Sequence, residues 1–178
     1  MTPIPTSRLI AAILGLLAAV SIVGWVARVP VTTFSTAVLT RTGLPGLFAL
    51  VVVTDPLPGV GFQPALFVGW TGGLDAAVVS IVVFLGSLTG SALGWLLGRV
   101  SARSVLGPLE QYGIAAMILR HRWRAVALAA VTPLPFGVAT LGAGALGLSF
   151  GETMAGASLR GIKIAVILGL FALGWGER

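Results

Sequence analysis

The sequence predicts an all-α integral membrane protein, organised as a single membrane domain over residues 1–178. We expect an inverted repeat of a re-entrant hairpin plus a transmembrane helix, with an extra N-terminal transmembrane helix. Hydrophobic residues fill 57% of the chain and charged residues only 9%, whereas soluble domains carry about 25% charged residues. Two Pro-Leu-Pro elements, at 56–58 and 133–135, interrupt apolar stretches. Paired interruptions of this kind mark the binding site at the repeat interface of many transporters.

The composition limits the available chemistry. The absence of cysteine excludes disulfides, a thiolate nucleophile and Cys-ligated metals. The single histidine, His121, has no nearby nucleophile or set of metal ligands. The sequence therefore predicts no enzymatic activity, no metal and no cofactor. The net charge of +6 would suggest nucleic acid in a soluble protein, but clustered Arg in a membrane protein sets topology and meets anionic headgroups.

The first predicted element is a helix at 8–28. Its apolar core lacks charges, is flanked by Arg8 and Arg28, and carries Trp25 in the place of an interfacial anchor. A signal peptide is the alternative, with an apolar core of about 7–15 residues before a small-residue cleavage site. Because this run is longer, we expect a retained helix. A short interfacial helix around Phe34 and a turn at 42–46 should follow.

The first repeat is predicted at 47–98. Its apolar arms, 47–53 and 60–70, are too short to span and meet at a tip that contains Thr54, Asp55, Pro56 and Pro58. Such irregular backbone survives at depth only when it is buried in protein or lines a wet cavity. A full helix at 74–98 should follow, with Asp75 in its first turn.

Small residues recur along this helix. Gly86, Gly90 and Gly94 are four positions apart, and Ser87 and Ser91 lie beside them. This ridge should allow close packing of a neighbouring helix.

Residues 99–124 form the basic part of the chain. Their apolar spacing predicts amphipathic helices on the cytoplasmic membrane surface, and their arginines are candidates for contact with lipid headgroups: Arg99, Arg103, Arg120, Arg122 and Arg124. A role in setting topology alone is the alternative.

The second repeat is predicted at 125–175. A hairpin should turn at 132–137, with Thr132, Pro133 and Pro135 at its tip, before a helix that starts near Glu152. The distances from Pro56 to Pro133 and from Asp75 to Glu152 are both 77 positions. Coincidence in a low-diversity apolar sequence is the alternative explanation.

The Arg-rich linker predicts orientation, because cytoplasmic loops carry the excess of Lys and Arg. The N-terminus should then be cytoplasmic and the C-terminus outside, in a multi-pass protein of the plasma (inner) membrane. The two repeats would have opposite topology, as in many transporters.

Ionisable residues inside predicted membrane segments are functional candidates, and here they are Asp55, Arg160 and Lys163. Asp55 could accept a proton, bind a cation, pair with a basic residue or cap the hairpin turn. Arg160 lies about nine residues into its helix, roughly 13 Å of rise, which is deep for snorkelling. We expect it in a cleft beside Asp55, with Glu152 the weaker candidate, where it contacts a headgroup phosphate. Thr54, Thr132 and Gln63 add neutral hydrogen-bonding groups.

The chain resembles the DedA / SNARE-associated Golgi protein superfamily, the VTT-domain membrane proteins. The resemblance covers about 47–175 and rests on an ordered series of motifs: Pro56-Leu57-Pro58-Gly59, the turn at 69–73, the helix end at 94–99, the basic linker, Thr132-Pro133-Leu134-Pro135-Phe136, Ala143-Gly144 and Ser149-Phe150.

The resemblance implies two facing re-entrant hairpins and translocation of a phospholipid or a polyprenyl phosphate, proton-dependent in some members. The chain departs from the family at three positions. The acidic residue expected after the first Pro falls at Val60, and two expected arginines fall at Ala130 and Phe136. Asp55, Arg160 and Lys163 are candidates to substitute for these missing residues.

The sequence thus favours a lipid transporter or scramblase whose partners are membrane lipids, with protons or a cation as coupling ions and a homo-oligomer as a compatible assembly. The alternative is a non-transporting membrane assembly or scaffold protein that packs against partner helices through its glycine ridges.

Overall fold

The computed structural model describes residues 28–57, 61–104, 109, 114–132 and 134–175. Its principal elements are eight helices: α1 (Arg28–Thr54), α2 (Gln63–Thr71), α3 (Ala76–Val100), α4 (Ile114–His121), α5 (Trp123–Val131), α6 (Phe136–Ala145), α7 (Phe150–Ser158) and α8 (Arg160–Trp175). The predicted N-terminal helix at 8–28 lies outside the described residues, apart from Arg28, which begins α1.

Three helical segments are long and apolar enough to cross a membrane: Val29–Thr54, Ala76–Val100 and Phe150–Leu173. Their outward faces are apolar as well, since Ile81, Ile162 and Leu170 are 59%, 57% and 61% exposed. Large apolar side chains on the outside are expected where the surrounding solvent is lipid. The all-helical fold class and the membrane assignment agree with the sequence prediction at this level.

The first helix differs from the prediction. The turn expected at 42–46 is a kink inside α1, where Gly43 has a non-helical backbone (φ 61°, ψ −163°) and Pro45 follows within the helix. The helix expected around Phe34 and the apolar arm expected from residue 47 are thus the two parts of α1, which meet at this kink. Pro lacks the N–H that would bond to the preceding turn, which accounts for a bend at this place.

The chain reverses direction after α1 and forms the first hairpin. We call residues 55–62, between α1 and α2, the first tip. Helix α2 returns along α1: Gly69 packs on the side chain of Leu47, and the buried Thr71 hydroxyl donates a hydrogen bond of 2.7 Å to the Ser35 hydroxyl. The local reversal predicted from the Pro cluster is present.

The second hairpin consists of α5 and α6, joined by residues 132–135, which we call the second tip. Both helices contribute to one apolar cluster that includes Val126, Ala129 and Ala139. Ile118 of α4 is fully buried against the same cluster. The second tip has four residues and the first tip has eight, so the two turns are not copies of each other.

Helix α3 lies between the two hairpins, and its glycines make the contacts. A methyl group on Gly86 or Gly90 would lie 2.9 Å from a side-chain carbon of Val51 or Asp55, in the first hairpin. A methyl group on Gly94 would lie 2.7 Å from the Thr140 hydroxyl of α6. One turn further, Gly98 packs directly on the backbone carbonyl of Leu141. The predicted close-packing ridge is confirmed, and it serves contacts within the chain.

The connection from α2 to α3 has the same backbone form as the connection from α6 to α7. Gly73 (φ 94°) and Gly147 (φ 75°) both adopt left-handed conformations, as is common after a helix C-terminus. In each case the next amide, of Leu74 or Leu148, donates to the carbonyl five residues earlier. These equivalent positions are 74 residues apart, so the 77-residue spacing of the tips does not persist through the connections.

The residues that cap the following helices, α3 and α7, are also 74 positions apart and not 77. Asp75 caps α3 by accepting from the amides of Ala77 and Val78, and the equivalent cap of α7 is Ser149. Glu152 lies three residues further on and completes a capping box with Ser149. The predicted equivalence of Asp75 and Glu152 is therefore wrong, because they occupy different positions in their helices.

The last predicted helix, 151–175, is divided at Leu159 into α7 and α8. Gly156 of α7 packs on α5 so closely that a methyl group there would lie 2.7 Å from the Trp123 carbonyl oxygen. Arg160 is the first residue of α8. Its side chain leaves the chain at a helix break and not, as expected from the sequence, from the interior of an uninterrupted helix.

Candidate functional site

Asp55 and Arg160 form a buried ion pair. The Arg160 Nη2 atom lies 2.6 Å from the Asp55 Oδ1 atom, and the two residues are only 2% and 1% exposed. The other carboxylate oxygen, Oδ2, accepts a hydrogen bond of 2.9 Å from the Ser87 hydroxyl. The sequence predicted that Arg160 would lie beside Asp55 in preference to Glu152, and the coordinates have this arrangement.

Local structure explains how a carboxylate and a guanidinium reach each other here. Asp55 directly follows α1, and its amide still donates to the Val51 carbonyl at 2.9 Å. Gly90 has no side chain, so α3 approaches the Asp55 side chain closely. Arg160 comes from the opposite end of the chain, at the start of α8.

Two phenylalanines flank the Arg160 guanidinium. Its central carbon lies 4.7 Å from the ring centroid of Phe62 and 3.9 Å from that of Phe136. Phe62 belongs to the first tip and Phe136 begins α6, so each hairpin contributes one ring. Cation–π contacts at these distances stabilise a charge that has left water.

The guanidinium retains free donors. Its Nε and Nη1 atoms are buried and have no hydrogen-bond partner among the described residues. The contact with Asp55 Oδ1 is close but lacks the N–H alignment of a hydrogen bond. Buried donors are nearly always satisfied in native proteins, and an exception calls for an explanation. The unsatisfied atoms lie beside the ion pair and point to an acceptor that completes the site.

Lys163 connects the same helix to the second hairpin. Its Nζ donates a hydrogen bond of 2.7 Å to the backbone carbonyl of Thr132, in the second tip. Lys163 and Arg160 are three residues apart, on one face of α8. One turn of α8 therefore bonds to both tips, to the first by a charge pair and to the second by a charged hydrogen bond.

The two tips also touch each other. A methyl group on Gly137, just after the second tip, would lie 2.6 Å from the Pro56 carbonyl oxygen and 2.9 Å from that of Asp55. Pro56 is buried between this contact and Gly94 of α3. The tips are therefore in direct contact beside the buried ion pair, and the open polar cleft expected between the hairpins is not present at this contact.

The other predicted site residues lie near the tips, and among them Gln63 approaches the pair, since its Oε1 atom and the Arg160 Nη2 atom both lie beside Gly61. The hydroxyls of Thr54 and Thr132 donate to carbonyls of their own helices, at 2.8 and 2.7 Å, so Thr132 contributes its carbonyl instead. Gln63 and Pro135 are exposed. Pro58 and Pro133 lie outside the described residues.

Three residues of the site were not selected from the sequence. Ser87 was assigned to the packing ridge, and its position between Gly86 and Gly90 was the available signal that it faces a neighbour. Phe62 had no distinguishing signal, because an aromatic residue in an apolar sequence is ordinarily a packing residue. Phe136 was noted only as the position at which the resemblance expects an arginine.

Glu152 belongs to a separate contact, which corrects its assignment to the substrate site. It accepts from Arg122 at 2.5 and 2.7 Å and also bonds to Ser149. The hydrogen bonds and charge of Glu152 raise the pKa of the exposed Arg122 guanidinium. This pair joins the start of α5 to the start of α7 and lies apart from Arg160.

All five arginines of the basic linker are exposed. Arg99 lies over the Trp95 ring at 5.3 Å and Arg124 over the Trp123 ring at 5.9 Å. The other three are Arg103, Arg120 and Arg122. Their exposure is compatible with contact to headgroups and equally with a role in topology.

An apolar recess of about 220 Å³ lies between α3 and α8. Its lining residues are Ser80, Ile81, Phe84, Gly161, Ile164 and Ala165. Gly161, which follows Arg160 in the chain, is among the lining residues, whereas Arg160 and Asp55 are not.

The described residues contain no group of three or more His, Cys, Asp or Glu side chains suited to a metal ion. No family model, curated protein or solved structure matches the chain. The resemblance described above therefore stays a prediction from the sequence.

Proposed function

We propose that the protein moves a phospholipid or a polyprenyl phosphate across the bilayer, as a transporter or scramblase, between its two helical hairpins. The observation that carries this proposal is the buried Asp55–Arg160 pair at the contact of the two tips, with two guanidinium donors left free. A phosphate oxygen is a suitable acceptor for either free donor, because guanidinium N–H groups form short, charge-assisted hydrogen bonds with phosphate. A buried charged cluster inside a membrane domain also marks a substrate path by default.

The position of Arg160 supports a substitution for a missing family residue. The resemblance expects an arginine where this chain has Phe136, and the Arg160 guanidinium lies 3.9 Å from the centre of that ring. Arg160 thus brings a guanidinium from α8 to the place where the family would supply one from the second hairpin.

The apolar recess between α3 and α8 supports a path for the rest of the lipid. It lies on α3 and α8, and one of its lining residues, Gly161, follows Arg160 in the chain. In the proposed cycle the tips separate, the headgroup crosses beside Arg160, and the acyl or prenyl chain stays in the recess and the surrounding lipid. The structure described here is then the closed state.

The membrane arrangement is part of the proposal. The hairpins would be re-entrant, the two repeats inverted, and the N-terminus cytoplasmic in the plasma (inner) membrane. The chain has no native Cys, so a single Cys at position 110 of the basic linker gives a clean topology probe. We expect no labelling from outside intact cells until the membrane is permeabilised, and labelling in intact cells would overturn the orientation.

Transport is tested by reconstituting the purified protein in liposomes with labelled phospholipid or polyprenyl phosphate. We expect protein-dependent translocation, its loss in Arg160→Ala, and partial activity in Arg160→Lys. Arg41→Gln, which removes an exposed charge on α1 away from the pair, is the matched control. Unchanged rates in folded Arg160→Ala protein would refute the site, and no movement of any lipid by the wild-type protein would favour the scaffold alternative.

One observation bears on that alternative. The glycine ridge proposed to bind partner helices is occupied by α1 and α6 of the same chain. A scaffold would have to use other surfaces, such as the exposed apolar face of α8 around Ile162 and Leu170.

A further inference from the structure

The charges around the tips do not balance. Three charged side chains meet there: Asp55, Arg160 and Lys163. Asp55 and Arg160 neutralise each other at 2.6 Å, whereas the partner of Lys163 is an uncharged backbone carbonyl. The site therefore carries one positive charge in excess.

No other described acidic residue compensates this charge. The described part of the chain contains two more acids, and both are engaged elsewhere. Asp75 caps the start of α3, and Glu152 binds Arg122 and Ser149. An excess charge in a poorly hydrated site favours a ligand that neutralises it.

We propose that Lys163 sets the headgroup preference of the site, which selects lipids whose headgroup carries one net negative charge on a phosphodiester. This inference rests on the proposed function and adds the substrate class. One free N–H donor of Arg160, on Nε or on Nη1, binds a phosphodiester oxygen, while Asp55 holds the guanidinium in place through Nη2. The Lys163 ammonium then balances the charge of the bound headgroup.

The same balance of charges predicts how well other headgroups fit the site. A zwitterionic headgroup has no net charge and leaves the excess uncompensated. A phosphate monoester carries about −1.5 to −2 charges near neutral pH and overcompensates it. The site therefore favours an anionic phosphodiester such as phosphatidylglycerol over both phosphatidylcholine and a polyprenyl phosphate.

The test measures translocation of labelled phosphatidylglycerol, phosphatidylcholine and polyprenyl phosphate in separate liposome preparations with identical bulk lipid. For the wild-type protein we expect phosphatidylglycerol to move about tenfold faster than phosphatidylcholine, since one unit charge at a poorly screened site readily changes an equilibrium by that factor. In Lys163→Gln the ratio should fall to about one, and Lys163→Arg should retain it. Arg41→Gln removes one exposed charge and should leave the ratio unchanged.

The outcomes separate this inference from the function on which it rests. Wild-type protein that moves no lipid overturns the proposed function. Wild-type protein that moves lipids but shows equal rates for phosphatidylglycerol and phosphatidylcholine, or a faster rate for polyprenyl phosphate, overturns the charge preference alone and requires no variant to fold. A ratio that survives in Lys163→Gln overturns the role of Lys163.

Discussion

The two hairpins share their connections and differ at their tips. The connections after α2 and α6 have the same left-handed glycine, the same hydrogen bond from the following Leu, and an N-cap at the same place. The first tip supplies a carboxylate, Asp55, to Arg160. The second tip, in its described residues, supplies the Thr132 carbonyl to Lys163.

This difference distinguishes the residues that set the directions of the helices from the residues that form the candidate site. The repeated connections set the directions of α3 and α7 and require only local backbone features. The charged contacts are not repeated, because the single carboxylate at the tips belongs to the first hairpin. The two hairpins should therefore respond differently when α8 loses one of its cations, and similarly when their connections are altered.

The largest expected effect comes from breaking the charge pair. Arg160→Ala leaves the Asp55 carboxylate buried without its partner, and we expect the free energy of unfolding to fall by about 3–5 kcal/mol. Lys163→Ala removes one charged hydrogen bond, worth about 1.5–3 kcal/mol. Chemical unfolding of the purified proteins in detergent measures both values. Equal losses would mean that the two tips are held with equal strength.

A double substitution tests whether the carboxylate left behind is the cause. Asp55→Leu together with Arg160→Met removes both charges, and replacement of a whole buried pair by apolar residues is often neutral or stabilising. We expect the double variant to be more stable than Arg160→Ala. A double variant less stable than Arg160→Ala would mean that the unpaired Asp55 carboxylate is not the cause of the destabilisation.

The contact between the tips should give the next effect. Gly137→Ala places a methyl group 2.6 Å from the Pro56 carbonyl oxygen, and overpacking of this kind destabilises by about 1–3 kcal/mol. Gly151→Ala is the matched control, because nothing lies within 4 Å of the added methyl group. A Gly137→Ala protein as stable as the Gly151→Ala protein would show that the tips are not in tight contact.

The connections should respond alike in the two halves. Gly73→Ala and Gly147→Ala each force a side chain into the left-handed region, at an expected loss of about 1–2 kcal/mol. Gly147 is the cleaner case, since a methyl group there meets nothing within 4 Å. Chemical unfolding measures the loss of unfolding free energy in each variant. Strongly unequal losses would mean that the two connections are not equivalent.

The smallest effect on stability is expected at the exposed salt bridge between Arg122 and Glu152. Arg122→Gln removes the salt bridge to Glu152, in which the Arg122 side chain is 56% exposed. Solvent screens exposed pairs of this kind, so the free energy of unfolding should change little. A loss as large as that of Arg160→Ala would contradict the distinction between the buried and the exposed pair.

Much of the fold could be predicted from the sequence. Apolar length located α3, four-residue glycine spacing identified its packing face, and the two Pro clusters located the reversals. The kink at Gly43 was assigned as a turn, because Gly-Leu-Pro-Gly is typical of both. The break at Leu159 was missed because no proline accompanies it, and an isolated glycine such as Gly161 is tolerated within a helix.

The site was only partly predictable. The Asp55–Arg160 contact followed from the rarity of charges in an apolar chain, which left few candidate partners. The assignment of Glu152 failed because the repeat was aligned at the tips, and the first tip is longer than the second. The binding of Lys163 to a backbone carbonyl could not be predicted, because every residue presents a backbone carbonyl and the sequence does not distinguish one from another.

The ion pair also has a consequence for synthesis. Asp55 enters the growing chain 105 residues before Arg160, which is roughly 5–20 s at about 5–20 residues per second. Ser87, which donates to Asp55 Oδ2, follows after only 32 residues. During synthesis the Ser87 hydroxyl is therefore available to Asp55 before its charged partner exists, and the ion pair can form only after α8 has begun to be made.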